Sequence, residues 1–185
     1  SCSAIYRAQK PLIVKECSSD SLITYSLSYS TTNDDEDSFV FAGINQNTAT
    51  INSLNLGDNW VKWQVTDACG NTSECTYKVT VIDDVKPVPV CDKHTVASLS
   101  GNGRAVVKAE SLDDGSTDNC GILKFEARKM TDKCGFGTTN YTPTIEFCCE
   151  EVGTTVMVEL LVTDVHDNTN ICMVEVKIED KLPPY

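Results

Sequence analysis

Histidine is nearly missing from this chain: two residues, His94 and His166, in 185. That removes the usual base of a hydrolytic triad from almost every neighbourhood. No Gly-x-Ser-x-Gly, Walker or dinucleotide-binding fingerprint occurs either. Carboxylate pairs are plentiful, but in a chain with 27 acids they have little specificity. No enzyme is expected. Glycine and proline are sparse at 10 and 6 residues, which excludes a collagen-like or flexible-linker composition. No apolar run approaches the ~20 residues of a membrane helix, so membrane insertion is not expected. Ser1-Cys2-Ser3 carries no basic and apolar signal segment. The chain is therefore expected to be a mature product or a piece of something larger. Positive charge is in deficit: 15 Lys and Arg give a net charge of −12. Nucleic acid and anionic membranes are repelled by such a surface, and cations, calcium above all, are attracted.

Cysteine, by contrast, is abundant: Cys2, Cys17, Cys69, Cys75, Cys91, Cys120, Cys134, Cys148, Cys149 and Cys172. An even count without paired Cys-x2-4-Cys knuckles points to disulfides rather than zinc, hence to an oxidising compartment, extracellular or on the cell surface. All ten are expected to be oxidised.

Two stretches repeat at an offset of 97 residues, 61–84 and 158–180. Val61, Val65, Thr66, Asp67, Asn71, Thr72, Cys75 and Val79 fall on Val158, Val162, Thr163, Asp164, Asn168, Thr169, Cys172 and Val176. Cys172, Val174, Val176 and Ile178 alternate with Met173, Glu175, Lys177 and Glu179, the period of a strand with one buried face. Val61, Trp63 and Val65 do the same, and DACGN and DVHDN form the turns between strands. Further strands are expected at 11–16, 22–30, 38–43, 48–54, 93–99, 104–111, 122–129 and 144–149. Six or seven short strands per half predict an all-β chain of two tandem immunoglobulin-like β-sandwich domains, 1–86 and 87–185.

The pattern V-T-D-x-x-x-N-T-x-x-C-x-x-x-V-x-V-x-D, followed by Pro87 to Cys91 and by Gly115-Ser116-Thr117-Asp118-Asn119-Cys120-Gly121, resembles the hyalin-repeat (HYR) family. It is similar to the HYR-like repeats of very long bacterial surface and adhesion proteins. The likeness covers most of 85–180 and, in the first half, mainly 59–84; residues 1–58 depart from it. It implies an extracellular adhesive or spacer module, without catalysis. It also implies that a cysteine opening each domain bonds the one in its last strand: Cys91 with Cys172, and Cys2 with Cys75. Cys17 is then left for Cys69, and Cys120 and Cys134 for Cys148 and Cys149 in either order.

Asp83 and Asp84 end the last strand of the first half at the junction, and Asp67 ends the strand before it, at the opposite end of the hairpin, so Asp67 and Asp83 need not meet; the layout nevertheless resembles cadherin-type linkers, where acids of two domains share calcium. Asp113, Asp114 and Asp118 form a second acidic run, without EF-hand spacing or a flanking helix. Calcium at these six residues, and a polar linker with no metal, both remain open. Asn71 and Asn140 head N-x-Ser/Thr sequons, and Ser21, in Asp-Ser-Leu, is similar to a bacterial O-glycosylation motif. His166 sits in a turn, at the position of Cys69 in the other half, and His94 on an exposed early strand.

The end, EDKLPPY, followed by the opening SC, parallels the internal DDVKPVPVC. The chain is thus expected to be one two-domain period of a surface fibre or filament, partnered head to tail by copies of itself or by further domains of the same chain. The alternative is an adhesin pair that recognises a glycan or a cell-surface protein through loops 31–37 and 131–143.

Overall fold

The computed structural model describes residues 2–12, 22–32, 35, 38–45, 47–137 and 140–181. The chain divides into two compact units, Ser1–Asp83 and Asp84–Tyr185. Among the described residues, each is an immunoglobulin-like β-sandwich of a four-stranded and a two-stranded sheet.

The second unit holds β7 (His94–Ser98), β8 (Arg104–Lys108), β9 (Ile122–Lys129), β10 (Thr144–Cys148), β11 (Thr155–Asp164) and β12 (Thr169–Glu179). Its large sheet runs β7-β12-β11-β9, with β7 parallel to β12 and the other pairs antiparallel. Its small sheet is β8-β10. Alternation decides which side chains meet. Val174, Val176 and Ile178 of β12, and Val158, Leu160 and Val162 of β11, are fully buried against Phe147 and Ile145 of β10. Burying each such side chain is worth ~1.5–3 kcal/mol.

The first unit holds β1 (Ser3–Gln9), β2 (Thr24–Ser30), β3 (Val40–Ile44), β4 (Thr48–Asn55), β5 (Gly57–Thr66) and β6 (Thr72–Val81). Its large sheet runs β3-β2-β5-β6, and β1 pairs with β4 in the small one. Leu27, Val61 and Trp63 pack on Ala8, Ala49, Ile51 and Leu54.

The repeated hairpins share one pairing register. Val61 pairs with Tyr77 and Trp63 with Cys75; 97 residues on, Val158 pairs with Val174 and Leu160 with Cys172.

Three expectations need correction. β1 lies outside the expected strands because its most apolar residue, Ile5, points outward while small Ala8 is the one buried, so its alternation is masked in the sequence. Of the strand expected at 11–16, residues 11–12 are irregular and the rest lie outside the described residues. The strand expected over 104–111 stops at Lys108, and Ala109–Leu112 form a 3-10 turn that buries Ala109 and Leu112.

Candidate functional site

Both repeated hairpins close on the same aspartate–asparagine clasp. Asp67 Oδ1 accepts from the N–H groups of Cys69 and Asn71, at 2.8 Å each, and Asn71 Nδ2 donates to Asp67 Oδ2 at 2.7 Å. Asp164 Oδ1 accepts from His166 N at 2.7 Å and Asn168 N at 2.9 Å, and Asn168 Nδ2 donates to Asp164 Oδ2 at 2.8 Å. The asparagine bonds hold the Asp67 carboxyl below its usual range. At Asp164 burial pushes upward, but the bonds from Asn168 and His166 outweigh it and the carboxyl ends low. Each carboxylate thus fixes its own turn. Asp164 is absent from the residues read as functional in the sequence, although the 97-residue offset from Asp67 points straight at it.

Asp83 closes the first unit, and Asp84 opens the second. Asp113 accepts bonds from the backbone of Gly115 and Ser116 and from the Ser116 hydroxyl, while Asp114 is exposed. Asp118 Oδ1 accepts from Cys120 N at 2.7 Å and Gly121 N at 2.9 Å. Its Oδ2 is buried without a hydrogen-bond partner, and oxygens of Asp118 and Asp164 approach within 4.8 Å.

The cysteines depart from the expected set. Cys91 and Cys172 are bonded, tying the start of β7 to β12. Cys134 is bonded to Cys148, one of its two expected partners, but neither expected order is completed, because Cys149 is free. Cys69, Cys75 and Cys149 are exposed free thiols. The Cys2–Cys75 pair is not formed. β1 joins β4 in the small sheet, where Ser3 pairs with Asn55, so Cys2 does not run alongside β6 as Cys91 runs alongside β12. Cys2 is disulfide-bonded elsewhere. The Cys17–Cys69 pair is not formed either: Cys69 stands free in the exposed β5–β6 turn, and Cys17 lies outside the described residues. Cys120 is disulfide-bonded, but to neither Cys148 nor Cys149. Cys149 faces the β8 turn, its Sγ 3.5 Å from Gly103 O.

The histidines form no catalytic pair. His94 Nδ1 lies 3.1 Å from Glu175 Oε2 across the β7–β12 contact, and His166 occupies the exposed turn. Of the glycan candidates, Asn71 is exposed but its amide is held by Asp67, Asn140 is exposed, and Ser21 lies outside the described residues. Of loop 31–37, only 31, 32 and 35 are described.

Loop 131–143 borders a cleft of about 410 Å³, whose walls include Arg104, Arg128, Phe136, Asn140, Thr142 and Glu146. Its base is fixed by a buried charge cluster: Lys129 Nζ lies 2.9 Å from Asp132 Oδ1 and 3.0 Å from Glu151 Oε1. Asp132 in turn accepts from the N–H groups of Cys134 and Gly137. Burial raises the Asp132 carboxyl, but the lysine and these N–H groups bring it below its usual range. The Arg104 and Arg128 guanidiniums lie 4.8 Å from the Phe136 and Tyr141 ring centres. Arg104 meets Glu146 at 3.0 Å and Arg128 meets Glu159 at 2.6 Å. The cleft therefore offers aromatic surface and polar groups whose charges are already matched.

No family model matches the chain. No curated protein matches it. Among solved structures it is similar to the fibronectin(III)-like modules of Clostridium thermocellum CbhA, at 16% identity and a TM-score of 0.35, over 94% of this chain and 86% of that one. It is also similar to the N-terminal four Ig domains of Dscam1 isoform 1.9, at 12% identity and 0.44, over 96% and 42%. A third likeness is to the human desmocollin-1 ectodomain, at 18% and 0.32, over 85% and 31%. The chain thus spans under half of the latter two. No helix among the described residues is long and apolar enough to cross a membrane.

Proposed function

We propose that this chain is an extracellular structural module of HYR-like repeats, working as a period of a surface fibre or filament joined head to tail to further modules. The observation that carries the reading is the duplicated hairpin, with one register and one aspartate–asparagine clasp used twice, 97 residues apart. Duplicating one unit in one chain is how repeat proteins are extended. The Cys91–Cys172 bond, closing 81 residues, suits an oxidising exterior. Calcium belongs to the same proposal: the orphan Asp118 Oδ2 close to Asp164 is a place where a hard cation would relieve a buried carboxylate. Electron microscopy of native material and sizing of the purified chain test the reading. Beads or fibres at module spacing are expected. A chain that stays monomeric at high concentration, from a source with no fibres, overturns it.

The cleft beside loop 131–143 supports a second reading, recognition of a neutral glycan. Its aromatic face and its matched charges suit stacking and hydrogen bonding to a sugar better than capture of an anion. Glycan-array binding that Phe136→Ala abolishes would support this reading.

A further inference from the structure

The two units differ at one edge. In the second, β12 is covered by β7: Glu175 to Glu179 pair in parallel with His94 to Ser98, and Leu99 N donates to Glu179 O at 2.9 Å. In the first, β6 ends the sheet order, and among the described residues no strand pairs with its outer side. The inward side chains register this. Val174, Val176 and Ile178 are fully buried, whereas their counterparts 97 residues earlier, Tyr77, Val79 and Val81, are only partly buried. Cys172 is bonded to Cys91, three residues ahead of β7, whereas its counterpart Cys75 is an exposed free thiol. An edge strand, a half-covered apolar row and an open thiol coincide, and the second unit shows what kind of segment completes such an edge.

We infer that the outer edge of β6 is a docking site for the leading strand of another module of this kind. That strand runs parallel to β6 and pairs with residues 78–82. It carries a cysteine three residues before its first paired position, which bonds Cys75. Charge specifies it further. Where Glu175 meets His94 in the second unit, the first presents Lys78, exposed and paired with Asp58 at 2.8 Å, so an acid at that place of the incoming strand shares the ammonium with Asp58. Bond formation joins two thiols with loss of two protons and two electrons, taken up by a disulfide oxidant such as oxidised glutathione. The inference rests on the head-to-tail reading and names the surface it would use.

The probe is a synthetic peptide of residues 88–99 bearing His94→Glu, added to the full chain in a glutathione redox buffer. Two results are expected: a mixed disulfide at Cys75 at least tenfold above that at Cys69 or Cys149, and slowed amide exchange over 78–82. The same peptide with Ala97→Pro should lose both, and one with Cys91→Ser should keep the exchange protection at higher peptide concentration. Equal labelling of the three thiols, or no protection of 78–82, overturns the inference. If the peptide fails while the chain still assembles end to end, only the β6 edge is removed. If the peptide binds but native material forms no fibre, the edge stands and the fibre reading falls.

Discussion

Cys75 and Cys172 occupy one place in two hairpins of the same register, opposite Trp63 and Leu160, yet Cys172 is bonded to Cys91 and Cys75 is a free thiol. Among the described residues the difference lies outside the hairpin: a strand led by a second cysteine runs beside β12, and none runs beside β6. Four expected outcomes follow from this and from the buried charges.

Alkylation without reduction should label Cys69, Cys75 and Cys149, all exposed. Cys91, Cys134, Cys148 and Cys172 should react only after a reductant is added. Peptide mapping by mass spectrometry reads this directly; a blocked Cys75 in the purified, partner-free chain would contradict the structure.

The paired substitution Cys91→Ser with Cys172→Ser releases a loop with a sequence separation of 81. In the chain-entropy description such a closure is worth ~4 kcal/mol. Urea unfolding of the second unit should shift down by about that amount, with the free Cys75 unaffected.

Lys129→Met should destabilise the second unit by ~3–5 kcal/mol, because it leaves Glu151 and Asp132 buried without their cation. Amide exchange in loop 131–137 should rise in parallel, since Asp132 organises that loop. Adding Glu151→Gln to this variant should restore part of the loss. No recovery would mean that packing of the lysine stem, not charge, is what matters.

Acid should weaken both hairpin clasps. The Asp67 and Asp164 carboxyls lie below their ordinary value in the folded chain. A carboxyl lowered on folding adds stability above its unfolded pKa of ~3.9 and loses it as pH falls through the folded value. Stability should therefore drop below about pH 4, and Asp164→Asn should flatten that limb for the second unit. Urea titrations between pH 6 and 2 measure it; identical acid limbs in the variant and the parent would remove the claim.

The hairpins were legible in the sequence because alternation and the 97-residue repeat are local: residues 61–84 and 158–180 carry their own register, turn and buried face. So were the all-β class and the Cys91–Cys172 bond, the latter through family likeness. Tertiary structure alone decided which strand lies beside which. β1 reads as a weak strand because its buried set is small, and its choice of β4 over β6 is made by packing of Ala8 against the Ala49, Ile51 and Leu54 row. That choice leaves Cys75 open and Tyr77, Val79 and Val81 half-covered. A cysteine's partner is set by where two distant strands come to lie, and neither spacing nor an even count contains that distance. The buried Lys129 cluster escaped the sequence for the same reason: its three charges converge from β9, the following loop and the turn after β10, and only the closed sandwich brings them within hydrogen-bond reach.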